Sequence, residues 1–179
     1  MHLLTAEVQN NLATLLPELA QALRLRGQQL CCAESCTGGL IAAACTELAG
    51  SSDWFDRGFV TYSNAAKVDL LGVPQALLEA HGAVSDPVAR AMAEGALLRS
   101  AAHWSLAVTG IAGPGGGTAD KPVGTVCFAW AHRPALGGAV TLRSERHVWP
   151  GDRQAVRSAT LQCALGRLRA WLGELPGSI

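Results

Sequence analysis

The chain has 179 residues, 49% apolar and 16% charged, with 14 Lys and Arg against 14 Asp and Glu. That length and apolar content fit one packed domain spanning residues 1–179 and exclude a disordered segment. The balanced charge removes the basic excess with which nucleic-acid-coating proteins displace counterions, so no nucleic-acid partner is expected.

No apolar run approaches the roughly 18 residues of a membrane span, and Met1 to Asn10 carries a glutamate and no basic stretch. Neither a membrane anchor nor a secretory signal is expected, which makes the cytoplasm the expected compartment. The cysteines at 31, 32, 36, 45, 127 and 163 form no C-x-x-C pair and stand mostly in apolar stretches, the pattern of free buried thiols. The histidines are scattered, with no H-x-x-x-H, so no metal site is expected.

From Thr5 to Arg26, Val8, Leu12, Leu15, Leu19 and Leu23 recur at helical spacing. Pro17 falls inside this helix, which is either kinked there or starts afresh, and Gly27 ends it. An apolar run from Gln28 to Ala33, then Glu34-Ser35-Cys36-Thr37-Gly38-Gly39, then an alanine-rich stretch to Leu48 read as strand, tight turn and helix. Trp54 to Tyr62 reads as a second strand, and Asn64 as the cap of a short helix through Leu71. Asp86-Pro87 opens the next helix, to about Ser100; its alanine-rich face is a candidate surface for a homo-oligomer.

Trp104 to Thr109 is the third expected strand and empties into the glycine-dense loop Gly110 to Gly117. Val123 to Ala131 and Val140 to Val148 form a hairpin turning at Pro134 to Gly138. A last helix runs from Asp152 to Leu172, with Val156, Thr160, Ala164, Leu168 and Trp171 facing inward. Helices between the early strands and a hairpin late predict an α/β fold, a three-layer α/β/α sandwich on a mixed sheet.

Four segments can carry chemistry. A hydroxyl at Ser35, on a strand-to-helix turn, faces outward, and the N–H groups that follow can hold an oxyanion. Gly38 and Gly39 let a ligand approach the backbone. The same turn also fits a serine that merely caps a helix, and the hydrolase elbow G-x-S-x-G is absent. Lys67, in an apolar helix beyond Tyr62, the chain's only tyrosine, is the best candidate base. It acts as one only if burial holds its amine neutral; otherwise it is a solvated surface lysine.

The glycine loop fits neither the P-loop nor the dinucleotide fingerprint, yet it can form a backbone nest for an anion beside Thr109. Arg153 follows the capping Asp152, in the first turn where the helix dipole disfavours a cation. A residue that breaks a local rule suggests a site, and an arginine there suits a phosphate. Cys36 is the rival nucleophile, and a non-catalytic nucleotide-binding module is the rival function.

Ala33 to Gly39, Gly58 to Asn64 with Lys67, His81 to Ser85, Gly110 to Pro114, Lys121 to Thr125 and Gly151 to Arg153 match, in order and spacing, one family. Over about residues 6 to 172 the chain resembles the C-terminal domain of the competence/damage-inducible protein CinA, whose standalone versions are nicotinamide-nucleotide amidases of the PncC type. The resemblance implies hydrolysis of nicotinamide mononucleotide to nicotinate mononucleotide and ammonia, a salvage step, with no cofactor. It implies Ser35 as nucleophile, Tyr62 and Lys67 as its activating partners, and Thr37, Gly38, Gly39, Ser52, Thr109, Gly110 and Arg153 around the substrate.

Overall fold

The structure, a computed structural model, describes residues 4–175. Helix α1 (Ala6–Leu25) runs through Pro17 as one element, which settles the choice between a kinked and a restarted helix in favour of continuity. Thr5 caps it, its hydroxyl accepting from the Val8 N–H. Leu12, Leu16, Leu19 and Leu23 are buried, and each is worth roughly 1.5–3 kcal/mol on leaving water.

Five strands follow: β1 (Leu30–Glu34), β2 (Phe55–Val60), β3 (Trp104–Gly110), β4 (Thr125–His132) and β5 (Thr141–Val148). The sheet order is β2-β1-β3-β4-β5, parallel across β2, β1 and β3 and antiparallel from β3 to β5. Because successive strand residues point to opposite faces, Leu30 and Cys32 join one core and Cys31 and Ala33 the other. The first core lies under α1, α2 (Leu40–Glu47) and α6 (Arg153–Glu174); the second lies under α3 (Asn64–Leu71), α4 (Gln75–His81) and α5 (Asp86–Leu98). This is the expected α/β/α sandwich on a mixed sheet.

Three details correct the sequence reading. Ser63, not Asn64, caps α3, accepting from the Ala66 N–H. Helix α4 was not expected; it is short, and it starts after Pro74 with no side-chain cap to announce it. The apolar side of α5 does not face outward: Val88, Ala89, Met92, Ala93, Ala96 and Leu97 are all buried in the chain's own second core.

Candidate active site

Strand β1 connects toward β2 on one side while β3 lies on the other, and such a reversal opens a crevice beyond the carboxyl ends of the strands. Ser35 follows the last residue of β1 directly and donates its N–H to the Val108 carbonyl of β3 at 3.0 Å. The turn then winds into α2. The Gly38 N–H donates to the Ser35 carbonyl at 3.1 Å, and Gly38 and Gly39 take φ of 59° and 95°, where a side chain would be strained.

Glu34, 0% exposed, turns its carboxylate onto the start of α2. Oε2 accepts from the N–H groups of Gly39 and Ile41, both at 3.0 Å, and Oε1 accepts from that of Ala42 at 2.8 Å. Among the described residues, the N–H groups of Cys36 and Thr37 are the ones in this turn left without an oxygen acceptor.

Lys67 is only 1% exposed. Its Nζ lies 3.1 Å from the Ser35 Oγ and donates to the Thr61 carbonyl at 2.7 Å. It forms no ion pair among the described residues. Burial holds its pKa below the ordinary lysine value, opposed in part by the neighbouring Cys36. A neutral amine so placed gives an N–H to Thr61 and turns its lone pair to the Ser35 O–H, the geometry of a general base. The Cys36 thiol, by contrast, is pushed up to about 12 by burial and stays protonated.

A cavity of about 240 Å³ opens over Ser35 and Lys67, with Ala83, Val84 and Ala112 as apolar wall. Tyr62 and Arg153 stand at its exposed edge: Arg153 Nη2 donates to the Tyr62 hydroxyl oxygen at 3.1 Å and Nη1 to the Gly113 carbonyl at 3.2 Å. Arginine and glycine loop therefore meet at the edge of the cavity. Thr109 donates its hydroxyl to the Ala83 carbonyl at 2.9 Å, fixing that wall. A Cβ on Gly110 would fall 2.8 Å from the Thr125 oxygen and 3.1 Å from the Cys36 sulfur, so only glycine fits there.

One group of side chains has metal-ligand spacing: Glu145 and His147 of β5 with Cys163 of α6, their ligand atoms within 4.8 Å of one another. Arg167 already meets that carboxylate, its Nε donating to Glu145 Oε2 at 3.2 Å, and none of the three lines the cavity.

Residues 12–172 match the family model described as the CinA C-terminal domain. The chain belongs to the CinA C-terminal domain family. It is similar to the nicotinamide-nucleotide amidohydrolase PncC of Enterobacter agglomerans, 52% identical over 157 residues that cover 88% of this chain and 91% of that protein. To the PncC of Escherichia coli K12 it is 48% identical over 159 residues, 89% and 93% of the two chains. A putative competence-damage inducible protein of Symbiobacterium thermophilum is 55% identical over 162 residues, but the match spans only 38% of that relative's length. Among solved structures, the competence/damage inducible protein CihA from Agrobacterium tumefaciens aligns with a TM-score of 0.81 at 45% identity, covering 97% of this chain and all of that one. A competence damage-inducible protein from Klebsiella pneumoniae aligns with a TM-score of 0.85 at 37% identity, covering 91% and 98% of the two chains.

Within this CinA-family fold, not every expected site residue reaches the cavity. Ser52 lies in the turn before β2, its carbonyl accepting from Gln29 just ahead of β1, so it sits at the opposite end of the parallel strands from Ser35. Tyr62 shares the cavity with Lys67, but the hydrogen bond of its hydroxyl is to Arg153 and those of the lysine are to Ser35 and Thr61. Thr37 is 0% exposed and does not line the cavity, and the Gly38 N–H is taken up inside the turn. Two neighbours went unforeseen: Glu34, and Arg157, whose Nη2 donates to the Thr37 carbonyl at 2.7 Å.

Proposed function

We propose that this chain hydrolyses the carboxamide of nicotinamide mononucleotide, releasing ammonia and nicotinate mononucleotide. The observation that carries the reading is a buried amine without a counter-ion, 3.1 Å from a serine hydroxyl at a strand–helix turn. The name of its PncC relatives supports the substrate class.

In this reading the neutral Lys67 takes the proton of Ser35 as Oγ attacks the carboxamide carbon. The N–H of Cys36, the turn residue next to Ser35 that lines the cavity, holds the oxyanion; Lys67 returns the proton to the departing nitrogen, and ammonia leaves. Water, deprotonated by the same amine, then attacks the acyl-enzyme and frees Ser35. The cavity, at about 240 Å³, is smaller than the roughly 300–1,000 Å³ of sites that engulf a whole ligand. It takes the amide-bearing ring, and the ribose phosphate lies across the mouth toward Arg153, whose planar guanidinium suits a phosphate. Thr109 and Gly110 shape the wall against the ring.

No step so drawn asks for a metal or an organic cofactor, and the cytoplasm is the compartment this reading assigns to such a salvage step. Self-association belongs to the same reading; with the apolar side of α5 buried, its contacts have to come from exposed apolar residues such as Val60, Leu70 and Leu98. The test is ammonia release from nicotinamide mononucleotide, with and without chelator, together with mass-spectrometric capture of an acyl group on Ser35. Saturable binding without turnover would instead favour a binding module.

A further inference from the structure

The backbone at Ser35 is held by a residue to which the chemistry above gives no part. The cap position of helix α2 is Gly39, which has no side chain to fill the role, so the first N–H groups need acceptors from elsewhere. Glu34 supplies them from the end of β1. Its two oxygens take three N–H groups, those of Gly39, Ile41 and Ala42, at 2.8–3.0 Å, and Oε1 also receives the Cys32 thiol at 3.4 Å. The carboxylate is 0% exposed, and the groups facing it are the helix N–H groups and that thiol rather than a lysine or arginine. An ionised carboxylate at a helix N-terminus is stabilised by those N–H groups.

Position in the chain is what ties this cap to the reaction. Glu34 and Ser35 are consecutive, so the side chain that grips α2 and the hydroxyl that faces Lys67 hang from adjacent α-carbons. The segment between the gripped helix and the strand is the turn 35–38. It is closed by the Gly38 N–H on the Ser35 carbonyl and by Arg157 on the Thr37 carbonyl. With Gly38, Gly39, Ile41 and Ala42 all satisfied, the N–H groups of Cys36 and Thr37 are left without an oxygen acceptor among the described residues, and of these two residues only Cys36 lines the cavity.

We propose that Glu34 is the positioning residue of this turn: its buried carboxylate binds the first N–H groups of α2, so that the serine hydroxyl is held toward Lys67 with Cys36 beside it at the cavity. The inference rests on the Ser35 reading given under Proposed function. Glu34 does not touch the substrate; it acts through the backbone.

The test uses Glu34→Gln in the full chain, a change that keeps shape but puts an NH2 group against N–H donors. Three measurements are made: steady-state kinetics on nicotinamide mononucleotide, the labelling rate of Ser35 by a fluorophosphonate, and amide hydrogen exchange. We expect kcat to fall on the order of 100-fold, the usual cost of misplacing a reacting group by about an ångström, with KM changed less than about threefold. Fluorophosphonate labelling should slow in parallel, and the amides of Gly39, Ile41 and Ala42 should lose protection. A general loss of stability would instead lower protection throughout and leave kcat per folded molecule unchanged, which overturns the proposal. Wild-type labelling with wild-type kcat overturns it as well. If Glu34→Gln does not fold, exchange in the native protein still decides: the amides of Gly39, Ile41 and Ala42 must be protected, and exchange there as fast as in unstructured backbone refutes the cap. Failure of the Ser35 reading looks different, since the native enzyme would then not be labelled at all.

Discussion

The Lys67 amine donates to the Thr61 carbonyl at 2.7 Å, a shorter contact than its 3.1 Å approach to the Ser35 hydroxyl. The carbonyl fixes the nitrogen, leaving the third direction of a neutral amine for the serine proton. Lys67→Met, of similar length, removes the base and keeps the packing. It is expected to lower kcat by on the order of 10²–10⁴-fold, the usual contribution of a general base. Stability should change by less than about 2 kcal/mol, because removing a buried amine offsets the donor lost to Thr61. Near-native ammonia release from this variant would remove Lys67 from the mechanism.

The same burial fixes a pH dependence. Lys67 titrates below the ordinary 10.5 in the folded chain, so activity should rise with pH along a limb whose midpoint lies under that value. Between that midpoint and 10.5 the unfolded chain binds the proton and the folded chain does not, so stability falls as pH falls through this window and is regained as pH rises. Denaturant titrations of wild type and Lys67→Met should therefore converge as pH approaches 10.5. An acid limb centred at or above 10.5 contradicts the neutral amine.

Tyr62 offers a clean choice between two roles. As a proton relay it would have to reach Lys67, and its hydroxyl instead meets Arg153 at 3.1 Å. Tyr62→Phe should thus leave kcat within a few-fold and raise KM modestly, whereas Arg153→Ala should raise KM for the nucleotide roughly 10- to 100-fold, the worth of a charge-assisted phosphate contact. The riboside, which lacks the phosphate, should be nearly indifferent to Arg153→Ala. A kcat collapse in Tyr62→Phe restores the relay.

Local signals carried the fold: leucine spacing in α1, the strand–turn–helix at Ser35 and the glycine loop after β3 all sit where pattern placed them. Helix α4 escaped because its few residues between Gly72 and Gly82 give too short a period to read. At the site, Ser35 and Lys67 were legible from the motif, but their distance depends on α3 folding back under the turn. Ser52 shows the converse: no motif says at which end of a strand a flanking residue sits. Glu34 left a trace that can be used elsewhere, a lone acid closing an apolar strand ahead of a helix whose cap is glycine. Arg157 left none beyond its place one turn past Arg153.

Cys36 shares the turn with Ser35, yet its thiol is pushed up to about 12 by burial, so little thiolate exists at neutral pH. Cys36→Ala should keep kcat within a few-fold, and iodoacetamide near pH 7 should leave activity intact. Rapid inactivation with the label on Cys36 would revive it as the nucleophile.

The far end of the sheet carries a buried histidine. His132 is 7% exposed, stacked on Trp104 with ring centroids 3.9 Å apart, and its Nε2 is without a hydrogen-bond partner among the described residues. Burial, with help from the charges of His103 and Arg26, lowers its pKa from 6.5 to about 4. Below 6.5 the unfolded chain takes the proton first, so stability is lost as pH falls from 6.5 to about 4 and then levels off, at most on the order of 3 kcal/mol. His132→Phe keeps an aromatic ring against Trp104 and removes the titration. Its acid unfolding midpoint should move to lower pH, while activity at neutral pH stays unchanged because β3 runs from Trp104, beside this ring, to Gly110 at the cavity. An unmoved midpoint would assign the acid sensitivity to other groups.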